Sequence, residues 1–204
     1  MKTLARKWTR AHQPKLSSIL LIALLLSLSF VNGVAAGQSK AQPVELEEWG
    51  VKVIIPDGLP VCFGDSGTHV HGVYTRLDKK GCKDAEDGPY LSLWADYNVA
   101  FQSNALEILH GASCSNVAPS WARGEWTNAI AGLRTALCRV DHTDGKTNIV
   151  LAAQSGIWGE GFEEESDKPH FNYTVSFASS KPRLERDLKT FKAFLKSIVI
   201  TKPR

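Results

Sequence analysis

The sequence predicts an α+β fold, in which a mostly antiparallel central sheet carries a long C-terminal amphipathic helix and is cross-linked by two disulfides. Three observations lead to this prediction. Apolar and polar residues alternate in several short segments, which is the pattern of half-buried strands. The last apolar residues recur at helical spacing instead. Four cysteines follow an N-terminus with the composition of an export signal.

The N-terminus has the three parts of a secretory signal. Five cations precede the apolar run of residues 19–26, and the small residues Val34, Ala35 and Ala36 follow it. A retained membrane helix is the alternative, but a bilayer span needs about 20 predominantly apolar residues and this run is interrupted earlier. We therefore expect residues 1–36 to be a signal peptide, and the remaining protein to be periplasmic or secreted without membrane insertion.

Removal of the signal changes the charge of the protein. The formal net charge of +3 becomes −2, because the segment holds five cations and no acidic residue. A mildly acidic protein offers no electrostatic reason to bind nucleic acid or an anionic membrane. Its length fits one domain, which we place at residues 44–204 after a disordered lead-in at residues 37–43.

Alternation locates the strands of the predicted sheet. They lie at about residues 51–55, 69–77, 91–101, 133–140, 149–153 and 171–177. Residues 141–146 contain Asp-Gly and are expected to join two of these strands as a hairpin turn. Asn104 and Glu107 resemble a capping box and predict a short helix that ends at Gly111.

The C-terminal helix follows the last strand. Pro182 lies where proline is tolerated at a helix start, and the helix is expected to run to about Lys196. Its face of Leu188, Phe191 and Leu195 should pack on the apolar side of the strand at residues 171–177.

This unit of aromatic strand, short polar turn and amphipathic helix resembles the closing segment of PsbP-like α/β/α sandwich domains. The resemblance covers about residues 171–200. It implies a central antiparallel sheet with helices packed on it, in a family that includes exported binding and assembly proteins. It brings no catalytic motif to this chain.

The four cysteines are expected to form two disulfides in an oxidising compartment. Three pairings are possible, and we favour Cys62 with Cys82 and Cys114 with Cys138, because each bridge then closes a short loop. A zinc site is the alternative, but the spacing contains no Cys-x-x-Cys pair.

A second group of candidate residues is Ser66, His69 and His71. The segment around Ser66 has the composition of a turn, and His69 could serve as its base if Ser66 were a nucleophile. His69 and His71 share one face of a predicted strand, so they could bind a metal together with Asp65 or His110. The simpler interpretation is that they are half-buried histidines bonded to backbone or carboxylate groups.

An acidic segment near the C-terminal third is the candidate partner-binding site. Its negative charges would steer a basic protein partner towards this segment. Its aromatic residues would then anchor the complex in a pocket of the partner. A solvated loop is the default interpretation of such a run of charges. Calcium binding is a third possibility, although the spacing does not reproduce an EF-hand loop. The predicted partner-binding residues are Trp158, Glu160, Phe162, Glu163, Glu164, Glu165 and Asp167.

Trp121 and Trp126 could form a ligand platform, although the core is the commoner place for tryptophan.

Taken together, these features favour an exported, non-enzymatic binding protein without a cofactor, such as an inhibitor or immunity-type protein. The alternative is a small exported hydrolase or metal-dependent enzyme that uses Ser66, His69 and His71.

Overall fold

The computed structural model describes residues 40–65, 70–82, 88–100, 102–111, 114, 117–155 and 169–201. Within these residues the fold is α+β, as predicted, with two antiparallel sheets and two α-helices. The strands are β1 (Gln42–Leu46), β2 (Val51–Ile55), β3 (Cys62–Asp65), β4 (Val70–Arg76), β5 (Tyr90–Tyr97), β6 (Ser120–Trp121), β7 (Ala136–Asp141), β8 (Lys146–Ser155), β9 (Phe171–Ser180) and β10 (Val199–Ile200). The helices are α1 (Ala105–Gly111) and α2 (Leu184–Ser197).

The larger sheet has seven strands in the order β3-β4-β5-β9-β8-β7-β6, and every neighbouring pair is antiparallel. The smaller sheet has the order β1-β2-β10. β1 begins inside the segment expected as a disordered lead-in, because Gln42 and Pro43 pair with β2. No helix among the described residues is long and apolar enough to cross a bilayer.

The main core lies on one face of the larger sheet, which we call the inner face. Alternate residues of β9 point into it, and the small sheet and α2 cover it. On the opposite, outer face, α1 packs over β7 and β8 and closes a second apolar cluster. The sheet is therefore covered on both faces, although α1 spans only its β7–β8 part.

Helix α2 is shorter than expected. It has 14 residues and begins at Leu184, because Lys181, Pro182 and Arg183 form the turn that leaves β9. Its predicted apolar face is confirmed in part: Phe191 and Leu195 are buried, whereas Leu188 packs against the core while partly exposed. Phe191 stacks on Phe177 of β9 with 4.8 Å between ring centroids.

A buried carboxylate fixes the start of α2. Asp187 is 2% exposed and accepts hydrogen bonds from Ser179 Oγ at 2.7 Å and from Arg183 Nε at 3.0 Å. Arg183 also donates to the carbonyl of Leu77 at 2.6 Å, so one network joins the helix, β9 and the end of β4. A buried charge with several donors is satisfied and gives the helix a defined position.

Two strands are shorter than the alternation predicted. β5 ends at Tyr97 instead of residue 101, and Val99, expected on its buried side, is 77% exposed. The strand stops there because the side-chain amide of Asn98 donates to the backbone carbonyls of Gln102 and Pro169. β7 starts at Ala136 rather than at residue 133, since Leu133 is held in a tight turn by a backbone bond to Ile130 at 2.8 Å.

Candidate functional site

Four rings meet where β5 ends and β9 begins, and we call them the aromatic end cluster: Trp49, His71, Tyr97 and Phe171. The centroid of the Trp49 ring lies 4.7 Å from that of His71, 4.7 Å from that of Tyr97 and 6.0 Å from that of Phe171. Trp49 is 1% exposed, whereas Tyr97 is 37% exposed. The cluster thus has a rigid interior and one face open to solvent.

The turn after β1 puts Trp49 in this position. A single 3-10 turn, Glu47–Trp49, ends at Gly50, whose φ of 60° is accessible to glycine at little cost. The N–H of Gly50 donates to the carbonyl of Glu47 at 3.1 Å. From the core, Tyr173 Oη donates to the Trp49 carbonyl at 3.1 Å. These bonds fix the backbone of Trp49, whose side chain is buried, while Glu47 in the same turn is exposed.

Two carboxylates contact rings of the cluster, and we call Glu48 and Asp96 the acidic rim. Tyr97 Oη donates to Glu48 Oε1 at 3.3 Å, and His71 Nδ1 lies 3.1 Å from Asp96 Oδ1. The Asp96 side chain is 61% exposed. Burial raises the pKa of the Tyr97 phenol above its usual 10.0, and the charge of Glu48 and the hydrogen bond to it act in the same direction.

The described residues that flank the acidic segment in the sequence, Ser155 before it and Pro169 after it, lie at the same end of the sheet as this rim. Ser155 at the end of β8 pairs with Phe171 at the start of β9, and Phe171 pairs with Tyr97. Asn98 holds the returning chain: its Nδ2 donates to the Pro169 carbonyl at 2.8 Å, and its backbone N–H donates to the His170 carbonyl at 2.8 Å. We call this arrangement the loop stem.

A network of side-chain amides braces the loop stem. Asn98 Oδ1 accepts from the backbone N–H of Gln102 at 2.9 Å, and Gln102 Oε1 accepts from Asn172 Nδ2 at 2.8 Å. Gln154 Nε2 donates to Asn172 Oδ1 at 3.0 Å and to the Gln102 carbonyl at 3.1 Å. Neutral amides satisfy one another here, so the stem is fixed by hydrogen bonds contributed by three separate segments.

Several predicted site residues lie outside the described residues. These are Trp158, Glu160, Phe162, Glu163, Glu164, Glu165 and Asp167 of the acidic segment, and Ser66 and His69 of the alternative site. His71 is described and is 23% exposed with Asp96 as its partner. The interpretation as a half-buried histidine bonded to a carboxylate is confirmed for His71.

No group of three or more His, Cys, Asp or Glu side chains that could hold a metal occurs in the described part of the chain. His110, one of the possible extra ligands, is an exposed residue in the last turn of α1. The described residues therefore bring neither His110 nor a third ligand to His71.

Both predicted disulfides are confirmed. Cys62 is bonded to Cys82 with 5.4 Å between Cα atoms, and Cys114 to Cys138 with 6.2 Å. The first ties β3 to the segment that follows β4, and the second ties the chain after α1 to β7. They close loops with sequence separations of 20 and 24 residues.

The two tryptophans considered as a ligand platform are packing residues. Trp126 is partly buried against the main core, with its ring centroid 5.7 Å from that of Phe191. Trp121 packs against the second cluster, and the Arg134 guanidinium lies 3.7 Å from the centroid of its ring.

Glu48, Asp96 and Asn98 were not identified from the sequence. The pair Glu47-Glu48 before Trp49 was a visible signal of an acidic turn. Asn98 gave no signal, since it follows the alternation of β5 and binds residues 71 positions away. Only tertiary contacts reveal its role.

Comparisons with known proteins give a distant structural likeness. No protein-family model matches the chain, and no curated protein matches it in sequence. Its fold is similar to the solution structure of cyanobacterial PsbP (CyanoP) from Synechocystis sp. PCC 6803, with a TM-score of 0.46 and 11% identity. The match covers 83% of this chain and 96% of that one. The predicted resemblance to PsbP-like domains is thus confirmed as a resemblance.

Proposed function

We propose that this chain is an exported, non-enzymatic binding protein that recognises a basic protein partner at the acidic end of its larger sheet. An inhibitor or immunity-type role fits this description. The partner-binding residues are those of the acidic segment between Trp158 and Asp167, joined by the acidic rim and Tyr97. One observation supports the proposal: Ser155 and Pro169, the described residues that flank this segment in the sequence, lie at the end of the sheet that carries the acidic rim.

The charges of this end support a basic partner. In the proposed interface, the carboxylates of the acidic segment would add their charge to that of the acidic rim. Charges on a solvated surface act mainly by steering the encounter. Their effect fades within about 8 Å at physiological salt, so they increase the association rate more than the lifetime of a complex.

The aromatic residues supply the short-range part of the proposed interface. Tyr97 is a rigid side chain with an exposed edge and a fixed hydroxyl, and such residues often dominate binding energies. Val99, at 77% exposure, adds apolar surface next to it. Phe162 would be the anchor from the acidic segment, seated in a pocket of the partner.

Binding kinetics with a captured basic partner test this division of roles. Neutralising the acidic rim with Glu48→Gln and Asp96→Asn should lower the association rate, most strongly at low salt. Phe162→Ala should instead raise the dissociation rate, since a buried anchor resists escape. Association rates that do not depend on salt or on these carboxylates would contradict the proposal.

Export is part of the proposal and has its own test. The two disulfides and the basic, apolar and small-residue segments of residues 1–36 support it. N-terminal sequencing of the protein recovered outside the cytoplasm should find a start at or within a few residues of Gly37. Intact Met1 in a membrane pellet would contradict it.

A second candidate function rests on the contact between His71 and Asp96. A carboxylate 3.1 Å from one imidazole nitrogen is the arrangement that orients a histidine as a general base. In a hydrolase, Ser66 would be the nucleophile, with His71 or His69 as its base. Ser66→Ala or His71→Ala would then abolish a hydrolytic turnover that Phe162→Ala retains.

A further inference from the structure

A groove crosses the outer face of the larger sheet at the end opposite the acidic rim. It has a volume of about 580 Å³, which is within the range of small-ligand pockets. Tyr90, at the start of β5, is seven residues from Tyr97, so the two sites are about 23 Å apart along the strand. The groove is therefore separate from the proposed protein-binding end.

The register of three strands forms the floor. Tyr90 of β5 and Asn148 of β8 are both paired with Ala178 of β9. Since neighbouring strands lie about 4.8 Å apart, the two larger side chains stand about 10 Å apart with only a methyl group between them. A small residue between two large ones leaves a trough with an aromatic wall on one side.

The turn between β7 and β8 forms the opposite wall, and it is held in place. The His142 N–H donates to the Lys146 carbonyl at 2.8 Å, and Gly145 adopts a φ of 81°. The carbonyl of Gly145 accepts from the Lys181 N–H at 2.8 Å, which ties the turn to the end of β9. A preformed wall lowers the conformational entropy lost on binding.

The polar atoms of the groove include both donors and acceptors. Asn148 Nδ2 donates to His142 Nε2 at 3.1 Å, so in the neutral ring the proton is on Nδ1. Asn148 Oδ1 and Ser180 Oγ have no hydrogen-bond partner among the described residues. Lys146 lies 3.4 Å from Asp144, which balances its charge. The groove thus offers hydrogen bonds without a net charge.

We propose that this groove binds a neutral saccharide. The hydroxyls of a sugar both donate and accept, which matches Asn148 Oδ1, Ser180 Oγ and His142 better than an anion or a cation would. The apolar C–H face of a pyranose ring stacks on the wall formed by Tyr90, as apolar groups do on aromatic faces. The size of the groove accommodates one or two sugar rings.

Titration of sugars into the protein, expressed from its full-length sequence and followed by NMR, tests this assignment. The probes are maltose, cellobiose and lactose, with inorganic phosphate as the anionic comparison. We expect at least one disaccharide to cause saturable shifts in the amides of Tyr90, His142 and Asn148, and none in those of Tyr97. Tyr90→Leu should weaken its binding about tenfold.

Two further variants separate the loss of the aromatic ring from unfolding of the protein. Tyr90→Phe keeps the ring and should bind within about twofold of the wild type. Asn148→Ala should also weaken binding, and it is the substitute test should Tyr90→Leu fail to fold. The proposal is overturned if no disaccharide causes saturable shifts at millimolar concentration. Tighter binding of phosphate, or equal binding by Tyr90→Leu and Tyr90→Phe, would also overturn it.

Discussion

Asn98 Nδ2 lies 2.8 Å from the carbonyl oxygen of Pro169, and this hydrogen bond joins residues 71 positions apart in the sequence. The same side chain accepts from the Gln102 N–H, while its amide donates to the Gln102 carbonyl at 2.9 Å. Asn98 is 8% exposed, so water replaces these bonds poorly. One asparagine thus closes the stem on which the proposed binding segment is carried.

The first prediction concerns this stem. Asn98→Ala should reduce the free energy of unfolding by about 1–3 kcal/mol, because it removes the side-chain partner of the Gln102 N–H and of the Pro169 carbonyl, both in partly buried backbone. Urea denaturation is the measurement. Asn128→Ala, at an exposed asparagine, is the control and should change stability little. Equal stability of the two variants would show that the stem is not fixed by Asn98.

The second prediction concerns the packing of α2. Phe191 is fully buried between Phe177 and Trp126, so Phe191→Ala should cost about 3–5 kcal/mol of unfolding free energy. Lys189→Ala on the exposed side of the same helix should have an effect within about 0.5 kcal/mol. Thermal melts compare the two, and an unchanged melting temperature for Phe191→Ala would contradict the packing.

The third prediction concerns a buried hydroxyl in β4. Thr75 is fully buried, and its Oγ1 has no hydrogen-bond partner among the described residues. Thr75→Val replaces this hydroxyl with a methyl group of similar size and should stabilise the protein by about 1 kcal/mol. Thr75→Ser keeps the hydroxyl and loses the methyl, so it should destabilise. A less stable valine variant would show that the hydroxyl has a partner.

The fourth prediction concerns alkaline pH. Burial raises the pKa of the Tyr173 phenol from 10.0 to about 12, while the hydrogen bond with Ser155 acts weakly in the opposite direction. The unfolded chain therefore loses this proton first, and the stabilising contribution, complete below pH 10, is lost as the pH rises to about 12.

Tyr173→Phe separates this effect from general alkaline unfolding. The variant loses the bond to the Trp49 carbonyl and should be less stable at neutral pH. Its stability should fall less between pH 10 and 12 than that of the wild type. Equal slopes for the two proteins, measured by urea denaturation at each pH, would assign the alkaline loss to other groups.

Local patterns explain how much of the fold was predictable. The alternation of Phe171, Tyr173 and Val175 with polar residues correctly predicted a strand with one buried face. The cysteine pairing was predictable because each bridge closes a short loop. The capping prediction also holds, since Asn104 Oδ1 accepts from the Leu106 N–H at 3.0 Å. The Glu107 carboxylate accepts from the backbone N–H of Ser103 at 2.6 Å and from Asn104 Nδ2 at 3.2 Å, whereas a capping box would have it accept from the backbone N–H of Asn104.

Features that depend on distant residues were not predictable. Asn98 ends β5 because of groups in residues 102 and 169–170, and nothing in its own neighbourhood marks it. The edge strand β1 follows a weak pattern and is stabilised by pairing with β2. The aromatic end cluster likewise joins four separate segments, so its existence is a property of the fold.

The most direct test of the proposed function compares capture by three forms of the protein from extracts of the exporting cell and of neighbouring cells. One is the wild type, and one has the acidic segment neutralised by Glu163→Gln, Glu164→Gln and Glu165→Gln. The third has the same charge change elsewhere, with Glu45→Gln, Glu125→Gln and Glu185→Gln, whose exposed ion pairs contribute little to stability.

The account predicts that the wild type and the third form capture the same basic protein, and that the form with the neutralised acidic segment loses it. Capture should also decrease as salt is raised, because the steering charges are then screened. Capture of that protein by the neutralised form as efficiently as by the wild type, at both low and moderate salt, would contradict the central claim.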